Sequence, residues 1–149
     1  MSEPLSTREI LARIPQREPF RFVDEILYVD DERIEAAYRW REDAEFYRGH
    51  FPDNPVTPGV LLIESMAQAG VVALSIHLLA VQGEAARFVP VFTDAQVEFT
   101  GRVRPGDRVL ITAKKVFFRC RKLRAEVEMR LEDGTLVCAG VLSGMGVPL

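Results

Sequence analysis

Cysteine is scarce in this 149-residue chain, with two residues, and so is histidine, also with two. Cys120 and Cys138 form no C-x-x-C pair, which disfavours a disulfide framework or a four-ligand zinc site. We therefore expect two ordinary strand residues in a chain suited to a reducing cytoplasm. Glycine-rich phosphate fingerprints are also lacking, and no residue cluster indicates a metal, a nucleotide or a flavin, so we expect no cofactor.

An excess of positive charge is lacking too, since the formal net charge is −3 and the pI is near 5.5. A nucleic-acid-binding domain would usually be basic, so we expect no nucleic-acid partner. A negative net charge still permits a local basic patch that binds an acidic partner. Alternatively, the same basic residues simply form a solvated strand face. The candidates are Arg102, Arg104, Arg119, Arg121, Lys122 and Arg124.

A secretory signal is not expected, because residues 1–13 carry acids and bases and no apolar run. Residues 60–81 form one apolar stretch that is long enough to span a membrane. Glu64, Gln68 and His77 interrupt that stretch, and an unpaired carboxylate in lipid is costly. The sequence therefore predicts a helix buried inside a domain rather than a membrane span, with a structural or surface role for His77.

The length is typical of one domain, which we expect over residues 1–149. A short helix is predicted over residues 6–14, because Ser6 can cap it and Glu9 lies three residues later in a capping-box pattern. Pro15 follows, and the residue before a proline avoids the helical region.

Six stretches have the apolar pattern of strands, and turn signals such as Asp133-Gly134 join consecutive ones into hairpins. They are residues 22–29, 33–40, 89–99, 108–118, 123–131 and 136–145. After the second strand, Thr57 is a plausible N-cap and Pro58 suits the first position of a helix that ends near residue 81, before Gly83. This helix is apolar on nearly every face, which is typical of a helix wrapped by protein. We predict an α+β fold, in which an antiparallel sheet curls round one long helix.

Two candidate chemical groups lie where the second strand passes into this helix. Residues 49–59 form a proline-rich loop that cannot be helix or central strand, and this loop carries His50. A lone loop histidine is more often simply solvated. Glu64 lies in the second turn of the helix among apolar neighbours, and a buried acid must be paired, protonated or functional. Gln68, one turn later, can hydrogen-bond to Glu64 and has a structural role in that interpretation.

The string that contains both groups resembles the signature of the FabZ-type 3-hydroxyacyl-acyl-carrier-protein dehydratases. Over residues 49–68 it reads G-H-F-P-x-N-P-x-x-P-G-V-L-x-x-E-x-x-A-Q. Residues 14–24 resemble the family's L-P-H-R-x-P-F…V-D opening, and residues 104–107 resemble its V-x-P-G-D turn. Gln16 stands where the family usually has histidine, which affects local loop bonding rather than the chemistry. The glutamate at position 64 favours plain dehydration, since the related FabA-type enzymes, which also isomerise the double bond, typically carry aspartate.

This resemblance implies a hot-dog fold, with a long helix enclosed by a curved antiparallel sheet, and a homodimer joined edge to edge. It also implies a site shared across the dimer, with His50 from one subunit and Glu64 from the other. A trimer of such dimers is possible. The partner would be an acyl carrier protein that presents a 3-hydroxyacyl thioester, in fatty-acid synthesis or in a polyketide or polyene pathway.

The chemistry expected of these residues is the removal of a proton from C2 and of a hydroxyl from C3. A neutral imidazole suits the first task, and a glutamic acid whose pKa is raised by desolvation could protonate the leaving hydroxyl. In an equally open version, Glu64 orients the hydroxyl or a water and His50 handles both proton transfers. The N–H of Gly59 is the candidate donor to the thioester oxyanion, because Pro58 has no N–H; tight packing is the alternative role for Gly59.

The acyl tail would need an apolar tunnel, whose aromatic candidates are Phe20, Phe22, Phe51, Phe88 and Phe92. Two other functions are weighed against dehydration. An acyl thioesterase of the same fold would usually place an acid on or near the helix but would lack the H-F-P loop. A non-catalytic relative that binds acyl chains is disfavoured because both His50 and Glu64 are present.

Overall fold

The computed structural model describes residues 3–84 and 88–148, and the strands among them form one six-stranded sheet. In chain order the elements are α1 (Thr7–Arg13), β1 (Glu25–Val29), β2 (Arg33–Arg39), a 3-10 turn (Glu45–Arg48), α2 (Gly59–Ala67), a π-helical segment (Gln68–Val72), α3 (Ala73–Val81), β3 (Phe88–Phe99), β4 (Arg108–Arg119), β5 (Lys122–Leu131) and β6 (Leu136–Pro148). The three helical segments from Gly59 to Val81 are consecutive, and together we call them the central helix.

The sheet is antiparallel throughout, with the strand order β1-β2-β4-β5-β6-β3. The central helix follows β2 and leads to β3, so it carries the chain to the opposite edge of the sheet. There β3 pairs with β6 alone and forms an edge. The predicted arrangement of two strands, one long helix and four strands in a single sheet is therefore confirmed.

The core lies between the central helix and the sheet. Leu62, Met66 and Leu74 of the helix are at most 2% exposed and share one apolar cluster with strand residues. Gly70 lets the helix approach the sheet closely, since a Cβ there would lie 2.9 Å from the Cβ of Ala113. Residues 59–81 are long and apolar enough to cross a membrane, but 61% of their apolar window is buried inside the protein, as the predicted buried helix requires.

The short N-terminal helix agrees with its prediction. Ser6 Oγ accepts a hydrogen bond from the N–H of Glu9 at 3.2 Å, and the N–H of Ser6 donates to Glu9 Oε1 at 3.2 Å. This reciprocal pair is the predicted capping box. The helix ends at Arg13, one residue earlier than predicted.

The first strand begins at Glu25 rather than at the predicted residue 22. The N–H of Phe22 donates to Gln68 Oε1 at 2.7 Å, and its carbonyl accepts from Ser65 Oγ at 2.8 Å. Both backbone groups of Phe22 are therefore bonded to side chains of the central helix, and no strand ladder forms at this residue. The alternation of apolar residues cannot predict this strand start, because it carries no information about hydrogen bonds between side chains and the backbone.

The predicted start of the central helix was wrong by one residue. Pro58 is the N-cap and the helix begins at Gly59, so Thr57 is not the cap and Pro58 is not the first helical residue. The hydroxyl of Thr57 instead bonds to Tyr47. The other end agrees with prediction, because the helix ends at Val81 and Gly83 has a positive φ of 78°.

Two further features differ from the sequence prediction. The π-helical segment inside the central helix was not predicted, since its apolar residues fit an α-helical pattern equally well. Cys120 lies in the turn between β4 and β5 with a φ of 52°, and is not a strand residue. Cys138 lies on β6 as expected, and burial raises the pKa of its thiol to about 12.

Candidate active site

His50 lies on a loop that its own backbone bonds hold closed. The N–H of His50 donates to the carbonyl of Phe46 at 3.0 Å, and the N–H of Val56 donates to the carbonyl of His50 at 3.0 Å. The ring is oriented by a third bond, of 2.9 Å, between Nδ1 and the carbonyl oxygen of Val56. Because a carbonyl can only accept, Nδ1 must carry the proton in the neutral ring. Nε2 then keeps a free lone pair, which is what a general base requires.

Phe51 covers one face of this imidazole. The two ring centroids are 4.2 Å apart and the planes are inclined by 22°. The Phe51 side chain is itself 54% exposed. One chain therefore presents the histidine beside an uncovered aromatic ring.

Glu64 is partly buried and is held by Gln68. Gln68 is fully buried, and its Nε2 donates to Glu64 Oε2 at 2.8 Å and to the carbonyl of Phe20 at 2.8 Å. Its Oε1 accepts from the N–H of Phe22, so the amide orientation is fixed by three bonds. The predicted bond from Gln68 to Glu64 is thus confirmed. The same bonds anchor residues 20–22 to the helix, which is the structural role expected of Gln68.

Burial raises the pKa of Glu64, and the hydrogen bond from Gln68 opposes that shift in part. Desolvation penalises the charged carboxylate more than the neutral acid. The acid form of Glu64 therefore persists to higher pH than in an exposed glutamate. A carboxyl with a raised pKa and an imidazole with a free lone pair are suited to act as a general acid and a general base.

The start of the central helix has a backbone N–H without a hydrogen-bond partner among the described residues. Pro58 has no N–H, and no hydrogen bond uses the N–H of Gly59 in the described part of the chain. This free donor lies at the positive end of the helix dipole. A Cβ on Gly59 would also lie 3.2 Å from the ring of Phe99. A larger residue at position 59 would therefore press on the Phe99 ring, whereas glycine packs beside it and keeps its N–H available.

Several large apolar side chains are exposed close to these groups in the chain or at the start of the central helix. Phe20, Phe51, Val60 and Phe99 are each more than 40% exposed, and so are Val91 and Phe92 further along β3. Among the described residues, no hydrogen bond joins His50 to Glu64 within one chain. Two surface depressions lie elsewhere, one beside Leu27 and Thr112 and the other beside Trp40.

The remaining candidates are placed as follows. Phe22 is a core residue stacked on Trp40, and whether it also lines an acyl tunnel stays a prediction. His77 is buried and its Nε2 lies 2.8 Å from Asp31 Oδ1, which is a structural role. No group of three His, Cys, Asp or Glu residues in 3–84 and 88–148 could hold a metal ion.

The six basic candidates fall into two places on the molecule. Arg119 and Arg124 lie over the ring of Phe117, and Arg121 lies over Phe88. These three belong to the end of the sheet at the β4–β5 turn, which also carries Lys122. Arg102 and Arg104 follow β3, close in sequence to Val103, whose carbonyl accepts from the N–H of Thr57.

Sequence reasoning missed three residues of this region. Val56 orients His50, Ser65 bonds to the backbone of Phe22, and Tyr47 bonds to Thr57. A serine beside the glutamate in an otherwise apolar helix is a signal that could have been noticed. The bond of Val56 uses only its backbone, so its side chain carries no such signal.

Comparison with known proteins gives the following matches. A family model described as a FabA-like domain matches residues 14–140. The chain is 38% identical over 141 residues to the 3-hydroxyacyl-acyl-carrier-protein dehydratase FabZ of Streptococcus pyogenes serotype M3, covering 93% of this chain and 96% of that protein.

Two solved structures show the same fold. The dehydratase heterocomplex ApeI:P from Xenorhabdus doucetiae matches with a TM-score of 0.79 at 18% identity, over 99% of this chain and 93% of the other. A mutant of thioesterase PA1618 from Pseudomonas aeruginosa matches with a TM-score of 0.70 at 15% identity, over 99% and 97%. At these identities the likeness establishes the fold, and the predicted hot-dog fold is confirmed. It does not separate the dehydratases from the thioesterases.

Proposed function

The chain belongs to the FabA-like domain family, and from this premise we propose that it is a dehydratase that converts 3-hydroxyacyl-acyl-carrier-protein thioesters to trans-2-enoyl thioesters. His50 would be the base and Glu64 the acid. The observation that carries this proposal is the hydrogen bond from His50 Nδ1 to the Val56 carbonyl, because it leaves Nε2 free to accept a proton. The likeness to a FabZ dehydratase over 93% of the chain supplies the substrate class.

The proposed reaction removes one water. Nε2 of His50 takes the proton from C2, the C2 electron pair forms the new double bond to C3, and the C3–OH bond breaks. The protonated carboxyl of Glu64 donates its proton to the departing hydroxyl, and the raised pKa of Glu64 supports that assignment. In the alternative version, Glu64 orients the hydroxyl, and His50 both takes the proton from C2 and gives it to the departing hydroxyl. The N–H of Gly59 would stabilise the charge that develops on the thioester oxygen.

A second copy of the chain would complete this site. Two observations support such a dimer: the free edge of β3 and the exposed apolar side chains beside the start of the central helix. An unpaired, apolar edge strand favours pairing with another strand. We infer that β3 strands of two copies pair, so that His50 of one copy meets Glu64 of the other. A trimer of such dimers would use other surfaces.

The proposed partner is an acyl carrier protein, which the name of the FabZ relative contains. The proposed setting is the cytoplasm, in fatty-acid synthesis or in a polyketide or polyene pathway. The acyl chain would lie against the apolar surface that a second copy encloses. The length of acyl group that the site accepts depends on the depth of the enclosed space, which one copy of the protein alone does not define.

The direct test is an absorbance assay of the reverse reaction, the hydration of a crotonyl thioester. We expect His50→Ala and Glu64→Gln each to lower kcat by about a thousandfold, since one general acid or base contributes on that scale. Matched controls are His77→Gln, which changes the other histidine, and Glu126→Gln, which changes an exposed glutamate of β5. Both controls should retain activity.

Free thiol is measured in the same samples, because thioesterases share the fold. Release of thiol without any enoyl product would replace the proposed function by thioester hydrolysis. Enoyl chemistry that survives in both His50→Ala and Glu64→Gln would remove these two residues from the catalytic roles.

A further inference from the structure

Two buried hydroxyls meet at the base of the loop that carries His50. Tyr47 is 5% exposed and Thr57 is 4% exposed, and Tyr47 Oη lies 2.6 Å from Thr57 Oγ1. This is a short hydrogen bond between two side chains that are shielded from water. Neither residue belongs to the reacting groups described above.

The two partners lie on either side of the histidine in the chain. Tyr47 belongs to the 3-10 turn, three residues before His50, and Thr57 directly follows Val56. The bond between their hydroxyls therefore joins the two ends of the loop. Since the His50 ring is oriented by the carbonyl of Val56, its direction depends on how these two ends are held.

Each partner is also fixed to a different part of the fold. The Tyr47 ring packs on Phe46 with centroids 4.5 Å apart, and Phe46 packs in turn on Trp40. The N–H of Thr57 donates to the carbonyl of Val103 at 2.8 Å. The hydroxyl pair thus connects the aromatic cluster at the end of β2 to the chain segment that starts the central helix.

We propose that Tyr47 and Thr57 are positioning residues, whose buried hydrogen bond closes the loop and keeps Nδ1 of His50 on the carbonyl of Val56. Because Pro58 and Gly59 follow Thr57 directly, the same bond also fixes the start of the helix relative to the imidazole. The catalytic consequence rests on the function proposed above, whereas the effect on the imidazole does not.

The test removes the hydroxyls singly and reads both kinetics and tautomer. In Tyr47→Phe and in Thr57→Val we expect kcat to fall about tenfold while KM stays within about twofold, since a misplaced base slows chemistry more than binding. Thr57→Ser keeps a hydroxyl and should restore most of the rate. The matched control is Tyr28→Phe, which removes an equally short 2.6 Å bond to Asp30, far along the sheet on β1.

The second readout is the nitrogen NMR spectrum of the imidazoles, which is simple because the chain has two histidines. The His77→Gln variant assigns the His50 signals. We expect one neutral tautomer with the proton on Nδ1 in the native protein and in Thr57→Ser, and a mixture of tautomers in Tyr47→Phe and Thr57→Val. This measurement needs no turnover.

Three results would overturn the proposal: a native tautomer in both hydroxyl-deleting variants, an unchanged kcat in a folded Tyr47→Phe protein, or equal damage from Thr57→Ser and Thr57→Val. If Tyr47→Phe does not fold, the kcat and the tautomer of the smaller change Thr57→Val decide whether the proposal stands. A native protein that dehydrates no substrate would refute the proposed function, while the tautomer would still decide the role of the hydroxyl pair.

Discussion

The start and the middle of the central helix are both apolar, and they differ in environment. At the start Val60 is 74% exposed and Leu61, Ile63 and Glu64 are only partly buried. In the middle every residue from 65 to 74 is buried, and partly buried residues return at positions 75, 76 and 79–81. Val60, the most exposed apolar residue of this helix, therefore lies at the end that carries the candidate chemistry.

The difference follows from where the sheet lies. Residues of the π-helical segment pack directly on the middle strands, as the close approach of Gly70 to Ala113 shows. The start of the helix instead lies beside the end of the edge strand β3, where Gly59 meets Phe99. The middle of the helix is thus core in the single chain, whereas its start is covered only if the proposed second copy binds there.

The largest expected stability effect lies in the buried middle of the central helix. Leu74→Ala should lower the free energy of unfolding by about 3 kcal/mol, because a fully buried leucine leaves a cavity in a close-packed core. Urea unfolding at one fixed, low protein concentration measures this. Val60→Ala at the exposed start of the helix is the counterpart, with an expected loss of unfolding free energy below about 0.5 kcal/mol. Equal losses of unfolding free energy in Leu74→Ala and Val60→Ala would contradict the difference in packing between the two positions.

A smaller effect is expected on self-association. Val60→Asp should weaken dimer formation by about tenfold or more, since it would place a charge in an apolar interface. Sedimentation over a range of concentrations measures the dissociation constant. Val116→Asp is the control, because Val116 is 51% exposed on β4, away from the start of the helix. Weakening by both variants alike would mean that the interface lies elsewhere.

The sequence predicted most of the fold because its signals are local and repeated. Alternating apolar residues gave the strands within one to three residues, and a long stretch apolar on all faces indicated the buried helix. The boundaries that failed are those set by tertiary hydrogen bonds. Phe22 is bonded to the helix rather than to a strand, and the hydroxyl of Thr57 bonds to Tyr47 rather than capping the helix.

The candidate site was predictable only in part for the same reason. His50 and Glu64 stand out by residue type in their surroundings, and Gln68 follows at helical spacing. The carbonyl of Val56 that orients His50 has no signature in the sequence, because every residue carries a carbonyl. Likewise, no pattern shows that Tyr47 faces Thr57 across the loop.

The smallest expected effect concerns the pH dependence of stability. Burial raises the pKa of Glu64 above its ordinary value of 4.5, so the folded chain binds more protons than the unfolded chain between the two values. The free energy of unfolding should therefore fall as pH rises through that window. Glu64→Gln has no such dependence at this position and should be the more stable protein above the window, by less than about 1 kcal/mol, since the group is partly solvated.

Urea unfolding of the native protein and of Glu64→Gln, measured from pH 3 to pH 8 in steps of roughly half a pH unit, checks this difference in stability. The two curves should converge below the ordinary carboxyl pKa. A wild type that gains stability relative to Glu64→Gln as pH rises would mean that the carboxylate is stabilised rather than penalised at this position.

The most direct test of a site shared between two copies is a mixed dimer of His50→Ala and Glu64→Gln, purified with a different tag on each chain. If His50 of one copy acts with Glu64 of the other, one of the two sites in every mixed dimer has both native groups, and about half of the native dehydration rate per dimer should return. If both groups act within one chain, every site lacks one of them, and the mixed dimer should be as inactive as either parent.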